Sequence, residues 1–185
     1  DAQTGDVLWQ RKIRGQYPLR LSGCFSDSTS PPAVTDGERV CFFNASGTVT
    51  CFDMQGDQLW SREAMAVGRS QPFLVHGNVV FTKQTIMPKD GKFGHEHKDA
   101  SQELWTQLEA LELASGEHVW TSTCGVNMGA VPMLSRWSDG REVIVVGRGG
   151  GHSPPERPLG VPAIDGKSGK TLWTLPLERY MSTQT

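Results

Sequence analysis

A short segment that ends in tryptophan occurs four times in this chain and constrains its fold more than any other feature. The four copies are "DAQTGDVLW", "CFDMQGDQLW", "ALELASGEHVW" and "AIDGKSGKTLW", which end at Trp9, Trp60, Trp120 and Trp173. In every copy a glycine stands four residues before the tryptophan, at Gly5, Gly56, Gly116 and Gly169. A recurrence every ~50 residues indicates a repeated supersecondary unit rather than one continuous core.

The repeated unit is clearest between residues 32 and 62. Turn signals at Asp36-Gly37, Asn44 to Gly47 and Gln55-Gly56 separate short runs of β-branched and aromatic residues. This pattern predicts a four-stranded antiparallel meander, with strands A to D in chain order. Units of four strands at this period favour an all-β fold, a β-propeller in which each unit is one blade.

The motif A-x-D-x-x-[ST]-G-x-x-x-W resembles the tryptophan-docking motif of pyrroloquinoline-quinone-like (PQQ-like) repeat propellers. The fourth copy matches in full, and the third has Glu112 in place of Asp. The first copy matches from Asp1 onward, whereas the second has Cys51 at the Ala position and a turn one residue shorter. The resemblance implies that each tryptophan packs between neighbouring blades.

These boundaries predict about three blades plus one outer strand of a preceding blade. The predicted segments are an outer strand at 1–14, blades at 15–62, 63–122 and 123–175, and the start of the next link at 176–185. Members of the family usually close with about seven or eight blades. We therefore expect the remainder of the propeller, or a second copy, to close the ring.

Composition narrows the range of partners. The formal net charge of −2 provides no basic footprint, so nucleic acid is not an expected partner. No apolar run approaches the ~18 residues that a membrane-spanning helix requires. A protein partner is the remaining expectation for a binding module.

Two insertions are predicted to lie side by side on one rim of the propeller. In a meander the B–C turns lie on one face, and residues 84–105 and 148–159 interrupt strands B and C of consecutive blades. Long insertions in a compact fold are more often functional than short turns. Among the charged and histidine residues that they bring to this rim, the candidates for binding are His95, Glu96, His97, Arg148, His152, Glu156 and Arg157.

Two interpretations of the rim histidines remain open. His95, His97 and His152 could hold a first-row metal, since His-x-His presents two ligands on one side of an extended strand. A solvated polar loop with scattered histidines is the commoner origin of such spacing, and no stronger metal motif supports the first interpretation. No cofactor is predicted, although PQQ or a divalent metal is an alternative that the family allows. Arg69, Asn127 and Arg148 could serve a quinone but lie in no recognisable cofactor motif.

Cys41 and Cys51 are predicted to face each other across strands B and C. If Asn44 to Gly47 forms a type I turn with a glycine bulge, residue 44 pairs with 48 and residue 41 with 51. This is a non-hydrogen-bonded pair, the type with the closer Cα atoms, so a cross-strand disulfide is geometrically allowed. The alternative, which the sequence favours, is two buried thiols that pack as small apolar groups. Cys24 and Cys124 have no predictable partner.

The sequence leads to two functional hypotheses. The first is a non-catalytic binding or scaffold module of an exported bacterial protein, in the periplasm or outside the cell, which recognises a partner through the insertion rim. The second is a quinone- or metal-dependent oxidoreductase, similar to PQQ-dependent dehydrogenases, that uses the same rim. The first is preferred because no catalytic arrangement is recognisable in the chain.

Overall fold

The computed structural model describes residues 1–16, 31–44, 47–64, 71–84, 106–127, 130–148 and 159–178. Within these ranges the regular structure consists of twelve strands, and there is no helix of the length and apolar character needed to cross a membrane. The strands form three four-stranded sheets, each an antiparallel meander in chain order.

Sheet 1 contains β1 (Val34–Thr35), β2 (Arg39–Asn44), β3 (Thr48–Asp53) and β4 (Gln58–Glu63). Sheet 2 contains β5 (Phe73–Val75), β6 (Asn78–Gln84), β7 (Thr106–Glu112) and β8 (His118–Thr121). Sheet 3 contains β9 (Met133–Arg136), β10 (Glu142–Val145), β11 (Gly160–Asp165) and β12 (Thr171–Pro176). The three meanders are those that the repeat predicts.

The register of β2 and β3 is set by the turn that joins them. The amide of Gly47 donates to the carbonyl of Asn44 at 3.0 Å, and Gly47 has a φ of 91°, a conformation that other residues resist. Asn44 therefore pairs with Thr48, and counting outward places Cys41 opposite Cys51. The predicted register is confirmed at every pair.

The core lies between the sheets because alternate side chains of each strand point to opposite faces. One cluster joins sheets 1 and 2 and includes Phe43, Val49, Trp60 and Phe81, all buried. A second cluster joins sheets 2 and 3 around Trp120 and includes Leu108, Ile144 and Ile164. The facing sides of neighbouring sheets thus cover each other, which is how a repeat architecture buries apolar surface.

Residues 1–16 contain a turn and no assigned strand, and the outer strand at 1–14 stays a prediction. A ladder needs a partner strand, and the described residues provide none for this segment. It is held to sheet 1 by side chains instead. The side-chain amide of Asn44 donates to the backbone carbonyl of Ile13 at 3.2 Å. The hydroxyl of Thr48 donates to the backbone carbonyl of Arg14 at 2.9 Å.

Candidate binding surface and the contacts that position it

Each of three tryptophans lies flat against the motif glycine of the next unit. The pairs are Trp9 with Gly56, Trp60 with Gly116, and Trp120 with Gly169. A Cβ atom placed on these glycines would stand 2.7, 2.5 and 2.6 Å from the indole ring. Any larger residue would therefore displace the ring, and the positive φ of these glycines adds a second reason for the residue type.

The remaining glycine and tryptophan of the motif are in open surroundings. Gly5 has the same backbone conformation, with a φ of 79°, but nothing lies within 4 Å of a Cβ placed on it. Trp173 is 45% exposed, whereas Trp60 and Trp120 are 7% and 5% exposed. The two tryptophans that contact the glycine of a following sheet, Trp60 and Trp120, are thus far more buried than Trp173.

A small residue of each unit stands directly opposite its tryptophan. Cys51 pairs with Trp60, Ala110 with Trp120, and Ala163 with Trp173, and in each sheet the register shifts immediately after that pair. A shift of this kind is a β-bulge, which bends the strand and re-aims a side chain. The bulge therefore accompanies the tryptophan in every unit.

Sequence reasoning missed two arginines that strengthen these contacts. Arg11 Nε donates to the carbonyl of Gly56 at 2.7 Å, and Arg62 Nε donates to that of Gly116 at 2.9 Å. Both stand two residues after the motif tryptophan, in "LWQR" and "LWSR". That shared offset was the signal in the sequence. The guanidinium and the indole thus bind the same turn of the next unit.

The indole nitrogens of two tryptophans also donate to carbonyls of the following unit. Trp9 Nε1 donates to Met54 at 3.0 Å, and Trp60 Nε1 donates to Leu113 at 2.9 Å. Trp120 Nε1 is buried and has no hydrogen-bond partner among the described residues. The third contact therefore does not repeat this hydrogen bond.

At the third contact, a backbone amide takes the place of the arginine as donor to the glycine carbonyl. Ser122 stands two residues after Trp120, and the backbone amide of Thr123 donates to the carbonyl of Gly169 at 3.0 Å. The hydroxyls of Thr123 and Thr171 lie 3.0 Å apart across the two sheets. The glycine carbonyl is satisfied at all three contacts, although by different donors.

The two long B–C connections leave from equivalent strand ends of neighbouring sheets. The last pair of the β6–β7 ladder is Gln84 with Thr106. In sheet 3 a bridge pairs Arg148, which follows β10, with Gly160, the first residue of β11. Arg148, the first residue of the predicted insertion, is half-buried and backbone-paired at the base of its connection. The other predicted rim residues lie outside the described part: His95, Glu96, His97, His152, Glu156 and Arg157.

Buried polar groups support the base of this rim. Thr106 donates to the carbonyl of Val126, and the amide of Asn127 donates to that of Gly147 at 2.9 Å. Asn127 is buried and neighbours the Gly147–Arg148 segment. The segment that follows sheet 2 is therefore fixed beneath both connections, because buried polar groups must be satisfied.

The opposite face carries short turns and open grooves. His76 lies in the β5–β6 turn with a φ of 50°, and its Nε2 lies 3.5 Å from an oxygen of Glu142 in sheet 3. Arg136 donates to the other oxygen at 2.7 Å, and this hydrogen bond, aided by the charge of His76, holds the pKa of Glu142 below its usual value.

An open groove of about 620 Å³ lies beside this turn and is lined by both described histidines, His76 and His118, with Glu112, Glu117 and Lys167. Neither here nor elsewhere in the described ranges do three or more His, Cys, Asp or Glu side chains come together as a group that could hold a metal. The predicted histidine site stays a prediction, since its three residues lie outside these ranges.

A pair of thiols lies within the interface between sheets 1 and 2. Cys41 and Cys51 are fully buried and free, as is Cys124 in the other cluster, while Cys24 lies outside the described residues. The hydrogen bond between the two thiols, with burial, raises the pKa of Cys41 far above its usual value. The same hydrogen bond lowers the pKa of Cys51.

Four-stranded antiparallel meanders, packed face to face through a repeated glycine–tryptophan contact, define a β-propeller built from PQQ-like repeats. A family model described as "Outer membrane protein assembly factor BamB" matches residues 1–122. The match covers most of the chain, and the chain therefore belongs to this PQQ-like repeat family, as the motif predicted. No curated protein sequence matches it.

Solved structures share this fold. BamB from Moraxella catarrhalis is 16% identical with a TM-score of 0.51, and the alignment covers 93% of this chain and 44% of that one. A europium-containing methanol dehydrogenase is 11% identical with a TM-score of 0.62, covering 92% of this chain and 36% of that one. The computationally designed Ika4 protein is 13% identical with a TM-score of 0.50, covering 87% and 79%.

These comparisons confirm the predicted fold class, an all-β propeller represented here by three blades. The chain spans less than half of the length of the BamB and methanol dehydrogenase structures. At such identities the likeness concerns the fold, because one fold carries many functions.

Proposed function

We propose that this chain is part of a non-catalytic propeller module that binds a protein partner through the rim formed by residues 84–105 and 148–159. The module belongs to an exported bacterial protein that acts in the periplasm or outside the cell. The rest of the propeller, or a second copy, completes the ring.

The observation that carries the proposal is the position of the two long connections. Both join the second and third strands of a meander, and the two meanders are neighbours that share one buried cluster. Both connections therefore rise from the same edge of adjacent blades. A rigid scaffold with long loops at one edge is a common arrangement for recognition.

The base of the rim supports the same reading. The β6–β7 ladder continues through seven pairs up to its connection, and Arg148 and Gly160 exchange backbone hydrogen bonds of 2.8 and 2.9 Å at the other. The loop ends are thus held at fixed positions. A loop with fixed ends loses less conformational entropy when a partner orders it.

The family supports the proposed class of partner, a protein, and the proposed compartment, outside the cytoplasm. Its description names an outer membrane protein assembly factor, which is a protein that acts on other proteins at the cell envelope. By extension, this chain binds protein and is exported. The net charge of −2 agrees with a protein partner rather than nucleic acid.

The oxidoreductase hypothesis has weaker support. The likeness to a methanol dehydrogenase concerns the fold, and the described residues offer no group of metal ligands. Asn127 and Arg148 neighbour each other at the rim base, but an amide and a guanidinium alone do not define a cofactor site. We derive no catalytic step from them.

Photo-crosslinking from the full-length protein in its host tests the proposed surface. A photoreactive residue at Gln102, within the rim, should yield adducts to a discrete protein. The same residue at Asp139, in the exposed β9–β10 turn on the opposite face, is the matched control and should yield none. Adducts from position 139 alone would place the interface on the opposite face and would contradict the proposed surface.

A deletion complements the crosslinking. Replacing 85–105 by a short glycine-containing turn should leave the thermal unfolding temperature close to that of the parent but remove the adducts. Metal analysis and an absorption spectrum with added quinone, on the same preparation, separate the two functions. Stoichiometric metal or quinone, with turnover of an alcohol, would replace our proposal by the oxidoreductase.

A further inference from the structure

One position of the propeller is occupied by a pair of cysteines where the other blades have apolar pairs. The residues that face each other on the second and third strands, beside the motif tryptophan, are equivalent in the three sheets. They are Cys41 and Cys51 in sheet 1, Val80 and Ala110 in sheet 2, and Val145 and Ala163 in sheet 3.

Comparing this residue pair in the three sheets shows what the packing at this position requires. The valine–alanine pairs show that the position requires only a small and a medium apolar side chain. A single cysteine would satisfy this requirement as a small hydrophobe. In sheet 1 both members of the pair are cysteine, in a chain with four cysteines in total. A joint replacement indicates that the two sulfur atoms act together.

The geometry brings the two thiols within reach of each other. Cys41 and Cys51 are Cα partners at a non-hydrogen-bonded position of the ladder. Such positions place the Cα atoms ~4.5 Å apart, within the range that a disulfide spans. Both side chains are fully buried, and Cys51 Sγ lies 3.9 Å from the carbonyl oxygen of Leu113 in the next blade. The described residues offer no third ligand that would favour a metal.

We propose that Cys41 and Cys51 are a redox pair, which forms a cross-strand disulfide by exchange with a small-molecule disulfide such as glutathione disulfide. The thiolate of one cysteine attacks the disulfide, forms a mixed disulfide and releases one glutathione thiolate. The second cysteine then attacks the mixed disulfide at the protein sulfur and releases the other glutathione. The balance is two protein thiols and one glutathione disulfide giving one protein disulfide and two glutathione thiols.

The surroundings suggest which cysteine reacts first. The hydrogen bond from Cys41 stabilises the thiolate of Cys51, so Cys51 is the attacking group and Cys41 resolves the mixed disulfide. Because both side chains are buried in the same cluster as Trp60, the exchange occurs when sheets 1 and 2 separate locally, or during folding. Mild denaturant should therefore accelerate it.

Mass spectrometry after incubation with glutathione disulfide tests the proposal. The protein is unfolded, alkylated and digested with trypsin, which leaves both cysteines in one peptide, residues 40–62. The expected product is this peptide with an internal Cys41–Cys51 disulfide, unalkylated and lighter by two hydrogen atoms than its reduced form. Recovery of both cysteines fully alkylated, even after incubation in mild denaturant, would overturn the proposal.

A variant that copies the other blades is the matched control. The double substitution Cys41→Val and Cys51→Ala recreates the pair of sheets 2 and 3, so it should fold. Oxidation should raise the denaturant midpoint of the wild type and leave that of the variant unchanged. An equal shift in both proteins would assign the effect to Cys24 or Cys124 and would also overturn the proposal.

Discussion

Substitution of Gly116 by alanine tests the contact between the tryptophan of one blade and the glycine of the next. Gly116 has a φ of 71°, and a Cβ atom there would stand 2.5 Å from Trp60 Cδ2. Gly77 is the matched control, because it lies in the same sheet with a φ of 73° and has nothing within 4 Å of an added Cβ. The two substitutions therefore share backbone strain and differ in the collision with the indole.

The expected costs follow from these two terms. The left-handed conformation costs an alanine about 1–2 kcal/mol, and this is the whole effect expected for Gly77→Ala. Gly116→Ala adds the displacement of a ring that is 7% exposed, and overpacking of this kind typically costs about 1–3 kcal/mol. We expect a total of about 2–5 kcal/mol for Gly116→Ala, which lowers the melting temperature by several degrees more than the control.

Urea unfolding followed by circular dichroism measures both variants. A double-mutant cycle with Trp60→Leu assigns the extra cost to the ring, because the smaller side chain should relieve most of the collision. Equal unfolding free energies for Gly116→Ala and Gly77→Ala would refute the inference that the indole is fixed against this glycine. The docking role of the motif would then have to be abandoned for this interface.

Three further substitutions probe other contacts. Arg62→Met removes the hydrogen bond to the carbonyl of Gly116 but keeps the aliphatic stem, and we expect a loss of about 0.5–1.5 kcal/mol in urea unfolding. Lys83→Met leaves the buried carboxylate of Glu109 without its cation and should cost about 1–3 kcal/mol, most of which the added substitution Glu109→Leu should restore. For Glu142, the folded pKa lies below the unfolded one, so its contribution is present at neutral pH and is lost as the pH falls through the folded pKa. Glu142→Gln should therefore destabilise the protein more at about pH 7 than at about pH 3, and an equal effect at both would contradict the ion pair.

The sequence predicts the parts of the fold that depend on local patterns. Alternating residues and turn signals are enough to place the three meanders, and the turn after Asn44 is enough to pair Cys41 with Cys51. Chain reversal at each turn also assigns the two insertions to one rim. These inferences need only the period of a strand and the geometry of a turn.

Contacts between blades were harder to predict, because they depend on how the sheets pack. Arg11 and Arg62 act on the next unit, where each guanidinium donates to the carbonyl of that unit's motif glycine. The contact between His76 and Glu142 likewise joins the β5–β6 turn to the start of β10, which is distant in sequence. The His76 contact leaves no periodic signal, and the arginine follows only two of the four motif tryptophans, whereas the glycine–tryptophan offset occurs at all four.

The three interfaces show why the fold can persist while the sequence around the motif changes. The glycine carbonyl is met by an arginine at two interfaces and by the backbone amide of Thr123 at the third. The indole donates to a carbonyl at two interfaces and does not at the third, where the threonine hydroxyls join the sheets instead. Each interface thus depends on a glycine, an indole and an interchangeable donor. None of these residues lies in 84–105 or 148–159, the segments that we propose for recognition.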